Sequence, residues 1–240
     1  MNTILTGQMI NDYFDKVYLL NLYRRLDRLQ LSKKRLDFCD IKYSVFNGTD
    51  GSVVKKLWKS LSNPNFANSN YIGCAISHLS IYKDAIENGY KRILILEDDN
   101  RIKRDANDQF RLIVENIPIE WDLLYLGFIP LSDDCSRWDY NLVNNFLSKN
   151  IFYAKNLWGL YSYGISEQLM KDTIDEYNEN FPMELDRYFV TRIQPNGKSF
   201  GVTPQLFAAD DGFSDNSGKT EISMLQRSVD TRYTKLTDYI

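Results

Sequence analysis

Short apolar runs alternate with amphipathic stretches along this chain. Val17, Tyr18, Leu19 and Leu20 form an unbroken apolar run that predicts a buried strand over 16–22. Leu26, Leu29, Leu31 and Leu36 recur among charges and predict a helix over 24–37. A second strand over 43–46 ends at Asn47 and Gly48, and Val53, Leu57 and Leu61, four residues apart, predict a helix over 52–61. A polar loop over 62–70 leads to a helix over 72–88, with Cys74, Ala75, His78, Ile81, Tyr82, Ala85 and Ile86 inward and Gly89 at its stop. Ile93, Leu94, Ile95 and Leu96 mark the strongest strand, over 92–96, which runs into Glu97, Asp98 and Asp99.

A further helix (105–116) and strand (121–126) complete a β-α-β-α rhythm, the pattern of a mostly parallel sheet in an α/β fold. Beyond Gly127 the rhythm loosens. The pattern there predicts a loop over 133–138, a helix over 142–147, a strand over 160–165, a helix over 166–177 capped by Ser166, and a helix over 183–193. No internal repeat or Pro/Gly-rich linker divides the chain. One catalytic domain is therefore expected over 13–215, between an N-terminal tail (1–12) and a polar, weakly patterned and mobile C-terminal arm (216–240).

Composition narrows the chemistry. The 240 residues carry 29 Lys+Arg against 32 Asp+Glu, a net charge of −3, so there is no overall basic field to draw in nucleic acid or anionic lipid. No apolar run approaches the length of a membrane span, and residues 1–12 lack the pattern of a secretory signal, which makes the cytosol the expected compartment. The Asn47-Gly48-Thr49 sequon carries little weight for the same reason. Three widely spaced cysteines, Cys39, Cys74 and Cys135, predict neither a disulfide framework nor a clustered zinc site. The single histidine, His78, excludes a His dyad or a multi-His metal centre, so carboxylates must carry most of any catalysis.

Ligands of open α/β sheets bind beyond the carboxyl ends of the strands, where the strand over 92–96 delivers three adjacent acids. Their mutual repulsion is relieved by a divalent cation, and an all-oxygen set suits Mn²⁺ or Mg²⁺; the bland alternative is a solvated acidic loop. The first strand's exit lacks the glycines of a dinucleotide or triphosphate cradle. Its Arg24, Arg25 and Arg28 suit a diphosphate, or else are surface charges paired with Asp27 or Asp37. His78 reads as a hydrogen-bonded core residue, and with no second His or Cys placed to join it zinc is not expected. Glu184 and Asp186 fall on the helix over 183–193, and Asp210, Asp211, Gly212, Ser214 and Asp215 on a turn-like segment. Of the many aromatics, Trp138, Trp158 and Tyr161 are the loop candidates for stacking on a sugar.

In this order the segments resemble glycosyltransferase family 25, which includes bacterial lipooligosaccharide galactosyltransferases and procollagen galactosyltransferases. The resemblance is carried by Val17 to Leu22 with Arg25 and Arg28, Asp50-Gly51, Gly73-Cys74 with Ser77-His78 and Lys83, and Glu97-Asp98-Asp99. It continues through Trp121-Asp122, Tyr163-Gly164, Leu185-Asp186 and Asp210-Asp211-Gly212. It implies a GT-A fold, a Rossmann-like nucleotide-sugar half joined to an acceptor half. It also implies inverting transfer of a hexose, galactose by family habit, from a UDP-sugar to a hydroxyl of a glycan or a collagen-like hydroxylysine. The site implied comprises Leu20, Asn21, Leu22, Arg25, Arg28, Ser77, His78, Lys83, Glu97 and Asp98 around the donor. Asp99 and Glu97, with Asp210 or Asp211, are implied at Mn²⁺ or Mg²⁺, and Asp186 as general base, with Asp211 or Asp210 as alternatives. The chain departs from the pattern before Asp210, where 204–209 lacks the histidine that many GT-A enzymes use as a metal ligand. A GT-A-like protein that binds UDP-sugar with little or no turnover is the alternative; a sugar nucleotidyltransferase ranks last, for want of an N-terminal glycine loop.

Overall fold

The computed structural model describes residues 9–55, 68–215 and 218–240. Seven strands form the central sheet: β1 (Lys16–Asn21), β2 (Ser44–Asn47), β3 (Arg92–Glu97), β4 (Leu123–Tyr125), β5 (Ile151–Tyr153), β6 (Ser162–Ser166) and β7 (Ser199–Val202). Their spatial order is β2-β1-β3-β6-β4-β7-β5. β2, β1, β3, β4 and β7 run one way, while β6 and β5 run the other. The sheet is therefore mostly parallel, as the β-α-β-α rhythm predicts, with the reversed β6 inserted between β3 and β4.

The unbroken apolar runs of β1 and β3 follow from burial of both sheet faces. Tyr18, Leu20, Ile93 and Ile95 pack on one side against helices α3 (Ser69–Glu87) and α5 (Glu167–Glu179). Val17, Leu19, Leu94 and Leu96 pack on the other, against α1 (Ile10–Tyr13), α2 (Leu26–Phe38) and α4 (Ala106–Ile113). Successive side chains alternate between these two cores, as strand geometry requires. Ser166 caps α5 as expected, its hydroxyl accepting from the Leu169 amide at 3.3 Å. The helix expected over 183–193 forms as α6 (Leu185–Tyr188) continued by a π-turn, Phe189–Ile193.

Three expectations differ from the structure. No helix covers 142–147; a 3-10 turn, Tyr140–Leu142, is followed by irregular chain, because Val143 alone is driven into the core while Phe146 and Leu147 stay exposed. The tail boundary at residue 12 falls inside α1, whose Ile10 is fully buried. Residues 218–240, expected as a separate arm, return to the body. Val229 and Tyr239 are buried, and Ile240 exchanges backbone hydrogen bonds with Ile102 at 2.9 and 3.1 Å. Widely separated apolar anchors of this kind leave no periodic signal. The helix expected over 52–61 and the loop over 62–70 lie largely outside the described residues.

Candidate active site

The register of the sheet brings the carboxyl ends of three strands to one edge. Leu20 pairs with Glu97 and Asn21 with Asn47, so the exits of β1, β2 and β3 emerge together. Helix α3 approaches this edge closely enough that a Cβ on Gly73 would meet the Thr49 carbonyl at 2.7 Å and the Gly51 amide at 2.8 Å. Only glycine admits that contact. Two adjoining cavities open here, about 90 Å³ and about 170 Å³. Arg28, Cys74, Glu97, Asp99 and Ser214 line both.

The smaller cavity has Leu20, Leu22, Arg24, Ser77 and Asp98 on its walls. Asn21 is buried beneath it, donating from Nδ2 to Asp98 Oδ2 at 2.5 Å and to the Arg25 carbonyl at 3.0 Å. Arg28 Nη1 lies 3.0 Å from Asp98 Oδ1 and 3.3 Å from Asp99 Oδ2. Burial pushes the Asp98 carboxyl upward against the pull of Arg28 and Asn21. Burial, with Glu97 and Asp98 adding like charge, pushes Asp99 up to about 7 despite Arg28. Asp99 Oδ1 is buried without a hydrogen-bond partner. An acid so disfavoured as an anion, with one oxygen unsatisfied, suits a divalent cation that completes its shell with water and phosphate oxygens.

Ser77 is structural as well as cavity-lining: its hydroxyl accepts from the Thr49 amide at 2.8 Å and donates to the Gly73 carbonyl at 2.7 Å. His78 is fully buried, with Nδ1 2.8 Å from the Tyr163 hydroxyl and Nε2 3.1 Å from Glu97 Oε1. It is thus the hydrogen-bonded core residue expected, and it also fixes Glu97.

The larger cavity runs from Asp99 to Asp186, past Tyr161, Glu184 and Asp210. Burial pushes the Asp186 carboxyl up to about 6, with Glu184 and Glu97 adding to it and the Arg187 amide working against it. Tyr161 is buried on this wall, whereas Trp138 is exposed under the Arg227 guanidinium, 5.2 Å from its ring centroid, and Trp158 lines neither cavity.

Four residues are not placed as the resemblance implies. Lys83 is exposed on α3, because five positions beyond His78 turn it about 140° round a 3.6-residue helix. Arg25 is turned to Asp27 and Asp215, at 3.0 and 2.6 Å, and lines neither cavity. Asp211 is exposed, its carboxylate accepting from the Met224 amide. Asp210 reaches the larger cavity, but its oxygens are held at 2.7 Å by Arg35 and Arg101. Burial works to raise its carboxyl, and the two arginines outweigh that and hold it low. Asp210 is therefore a charge-paired strut.

Several cleft residues were absent from the implied site. Asp215 pairs with Arg24 and Arg25 at 2.7 and 2.6 Å, and Arg28 donates to the Phe213 carbonyl at 2.5 Å, so the 210–215 segment is tied onto the first strand's exit. Cys74 lines both cavities and, contrary to the expectation that no second His or Cys joins His78, stands beside it, because four residues along a helix put both on one face.

The profile of glycosyltransferase family 25 (LPS biosynthesis protein) matches residues 14–189 of this chain. The chain belongs to glycosyltransferase family 25. The family match spans β1 to α6, and so includes the acidic end of β3 and Asp186. Among its relatives, mouse "Procollagen galactosyltransferase 2" is 26% identical over 129 residues, 48% of this chain and 21% of that protein. Human "Inactive glycosyltransferase 25 family member 3" is 29% identical over 130 residues, 48% of this chain and 22% of that protein. The matched stretch thus spans about a fifth of those relatives' own length. A crystal structure described as "a glycosyltransferase involved in the glycosylation of the major capsid of PBCV-1" aligns at a TM-score of 0.38 and 9% identity, over 76% of this chain and 77% of that one. The α/β sheet is mostly parallel, as expected, with β5 and β6 reversed. No helix among the described residues is long and apolar enough to cross a membrane.

Proposed function

We propose that this family 25 chain transfers a hexose, galactose foremost, from a UDP-sugar to a hydroxyl of a glycan or a collagen-like hydroxylysine, with inversion at the anomeric carbon. The observation that carries this reading is the orphaned, buried oxygen of Asp99 at the junction of two cavities, with Arg28 beside it and Asp186 on the far wall. Asp99 and Glu97 are the acids to hold Mn²⁺ or Mg²⁺, which when bound offsets charge developing on the departing UDP. Arg28, with Arg24 on the same cavity wall, supplies forked donors to the diphosphate, and the apolar walls at Leu20 and Leu22 receive the nucleoside. Asp186 accepts the acceptor hydroxyl's proton as that oxygen bonds to the anomeric carbon and the bond to UDP breaks. A carboxyl raised to about 6 is ionised at neutral pH and still basic enough for that task.

A panel of UDP-sugars with Mn²⁺, reading free UDP in the presence of glycan and collagen-peptide acceptors, tests the reading. Release by the native chain and its loss in Asp99→Ala are expected; undiminished release in that variant would remove the metal assignment. A second reading, a UDP-sugar-binding protein with little turnover, is favoured by Asp210, whose ion pairs to Arg35 and Arg101 occupy the acid nearest the missing C-terminal histidine. Calorimetric UDP binding with no sugar release across the panel would select it.

A further inference from the structure

Cys74 and His78 stand one turn apart on α3, and Glu97 closes on them from the end of β3. One ligand atom from each of the three lies within 4.8 Å of the others, which makes this the one such group of three among the described residues. We propose that Cys74, His78 and Glu97 form a site for a thiophilic divalent cation, zinc foremost, open on its fourth side to the cleft.

The donor set separates this site from the all-oxygen chemistry of Asp99. Thiolate and imidazole select zinc over Mg²⁺ and Mn²⁺, and three protein ligands with an open position make an exchangeable centre, not a closed structural one. Zinc bonds of about 2.0–2.3 Å put tetrahedral ligand atoms about 3.3–3.7 Å apart. His78 Nε2 and Glu97 Oε1 are already 3.1 Å apart, and Cys74 has only a short way to close. Cys74 and Glu97 line both cavities, so the ion has a path in and its fourth position faces solvent or a ligand oxygen.

The imidazole is held in the orientation the site requires. With Nε2 turned to the ion, Nδ1 carries the proton and donates to the Tyr163 hydroxyl at 2.8 Å; that hydroxyl lies 2.6 Å from the hydroxyl of Tyr82. An outer partner on the second ring nitrogen is what metal-bound histidines commonly have. Glu97 is shared with the acids assigned above to Mn²⁺ or Mg²⁺, but Cys74 and His78 are not, and binding of the ion needs neither Asp99 nor a sugar donor, so thiolate ligation is tested apart from the glycosyl-transfer reading.

Cobalt(II) titrated into the full chain is the first probe. One equivalent is expected to produce a thiolate-to-cobalt charge-transfer band and the intense visible bands of tetrahedral cobalt, both bleached by zinc. Cys74→Ser is expected to lose the charge-transfer band and to weaken zinc binding at least about 100-fold, and Tyr163→Phe to weaken it about 10–100-fold as an outer partner. Peptide mapping of iodoacetamide labelling in the native protein needs no variant: zinc is expected to slow alkylation of Cys74 at least about tenfold, a thiolate on the ion being shielded as a nucleophile. No charge-transfer band in the native chain, a band that persists in Cys74→Ser, or unprotected Cys74 would each overturn the site.

Discussion

Nη1 of Arg28 lies 3.0 Å from Oδ1 of Asp98, although 70 positions separate them in the chain. The guanidinium fastens α2 to the acidic end of β3 and stands where a diphosphate would meet the strand exits. Arg28→Met leaves two largely buried acids without their cation, and removing one partner of such a pair costs roughly 3 kcal/mol. Urea unfolding is expected to register that loss, and calorimetry at least about a tenfold loss in UDP affinity, the forked donors being gone.

Asp99 carries a different sign. Its carboxyl is raised to about 7, above the ordinary Asp range near 3.8, so the folded protein favours its protonated form. The stability this contributes is full below about pH 4 and is lost as pH rises through about 7. Asp99→Asn is therefore expected to melt higher than the native chain at pH 8 without divalent cation. Mn²⁺ should raise the melting temperature of the native chain and leave that of the variant unmoved. A variant that melts lower at pH 8 would contradict the burial argument.

As the proposed general base, Asp186 is expected to shape the pH profile of turnover. A general base must be ionised, so kcat/KM rises with pH through about 6, the position to which burial pushes this carboxyl. Asp186→Asn is expected to lower kcat by about 10²–10⁴-fold and to flatten that limb. An unchanged profile in the variant would transfer the role to another group.

The buried hydroxyls of Tyr163 and Tyr82, 2.6 Å apart, supply a test of the core. Tyr163→Phe strands His78 Nδ1 and the Tyr82 hydroxyl, and each buried polar group left unpaired costs about 1–3 kcal/mol. Because the two tyrosines share one bond, Tyr82→Phe combined with Tyr163→Phe is expected to cost less than the two separate losses together. Chemical denaturation of the four proteins in the cycle measures the coupling.

The sequence by itself determined much of this protein. The apolar runs of β1 and β3 predict strands buried on both faces, and their polar ends, Asn21 and Glu97 to Asp99, mark where the candidate site lies. The spacing of α3 likewise turns Cys74 and His78 inward. These are periodic, local properties, set by the geometry of one strand or one helix. Which groups neutralise one another is decided by packing between elements, and no period records it. Asp210 and Asp211 are indistinguishable neighbours in the chain, yet one is clasped by Arg35 and Arg101 while the other sits exposed at the start of a short helix. Lys83 shares a helix with His78 but is rotated out to solvent, and residues 218–240 return to the body through a few buried anchors. Only the tertiary structure closes Glu97 onto Cys74 and His78, because the side-chain meeting depends on the register of β1 with β3 and on the seat Gly73 gives α3.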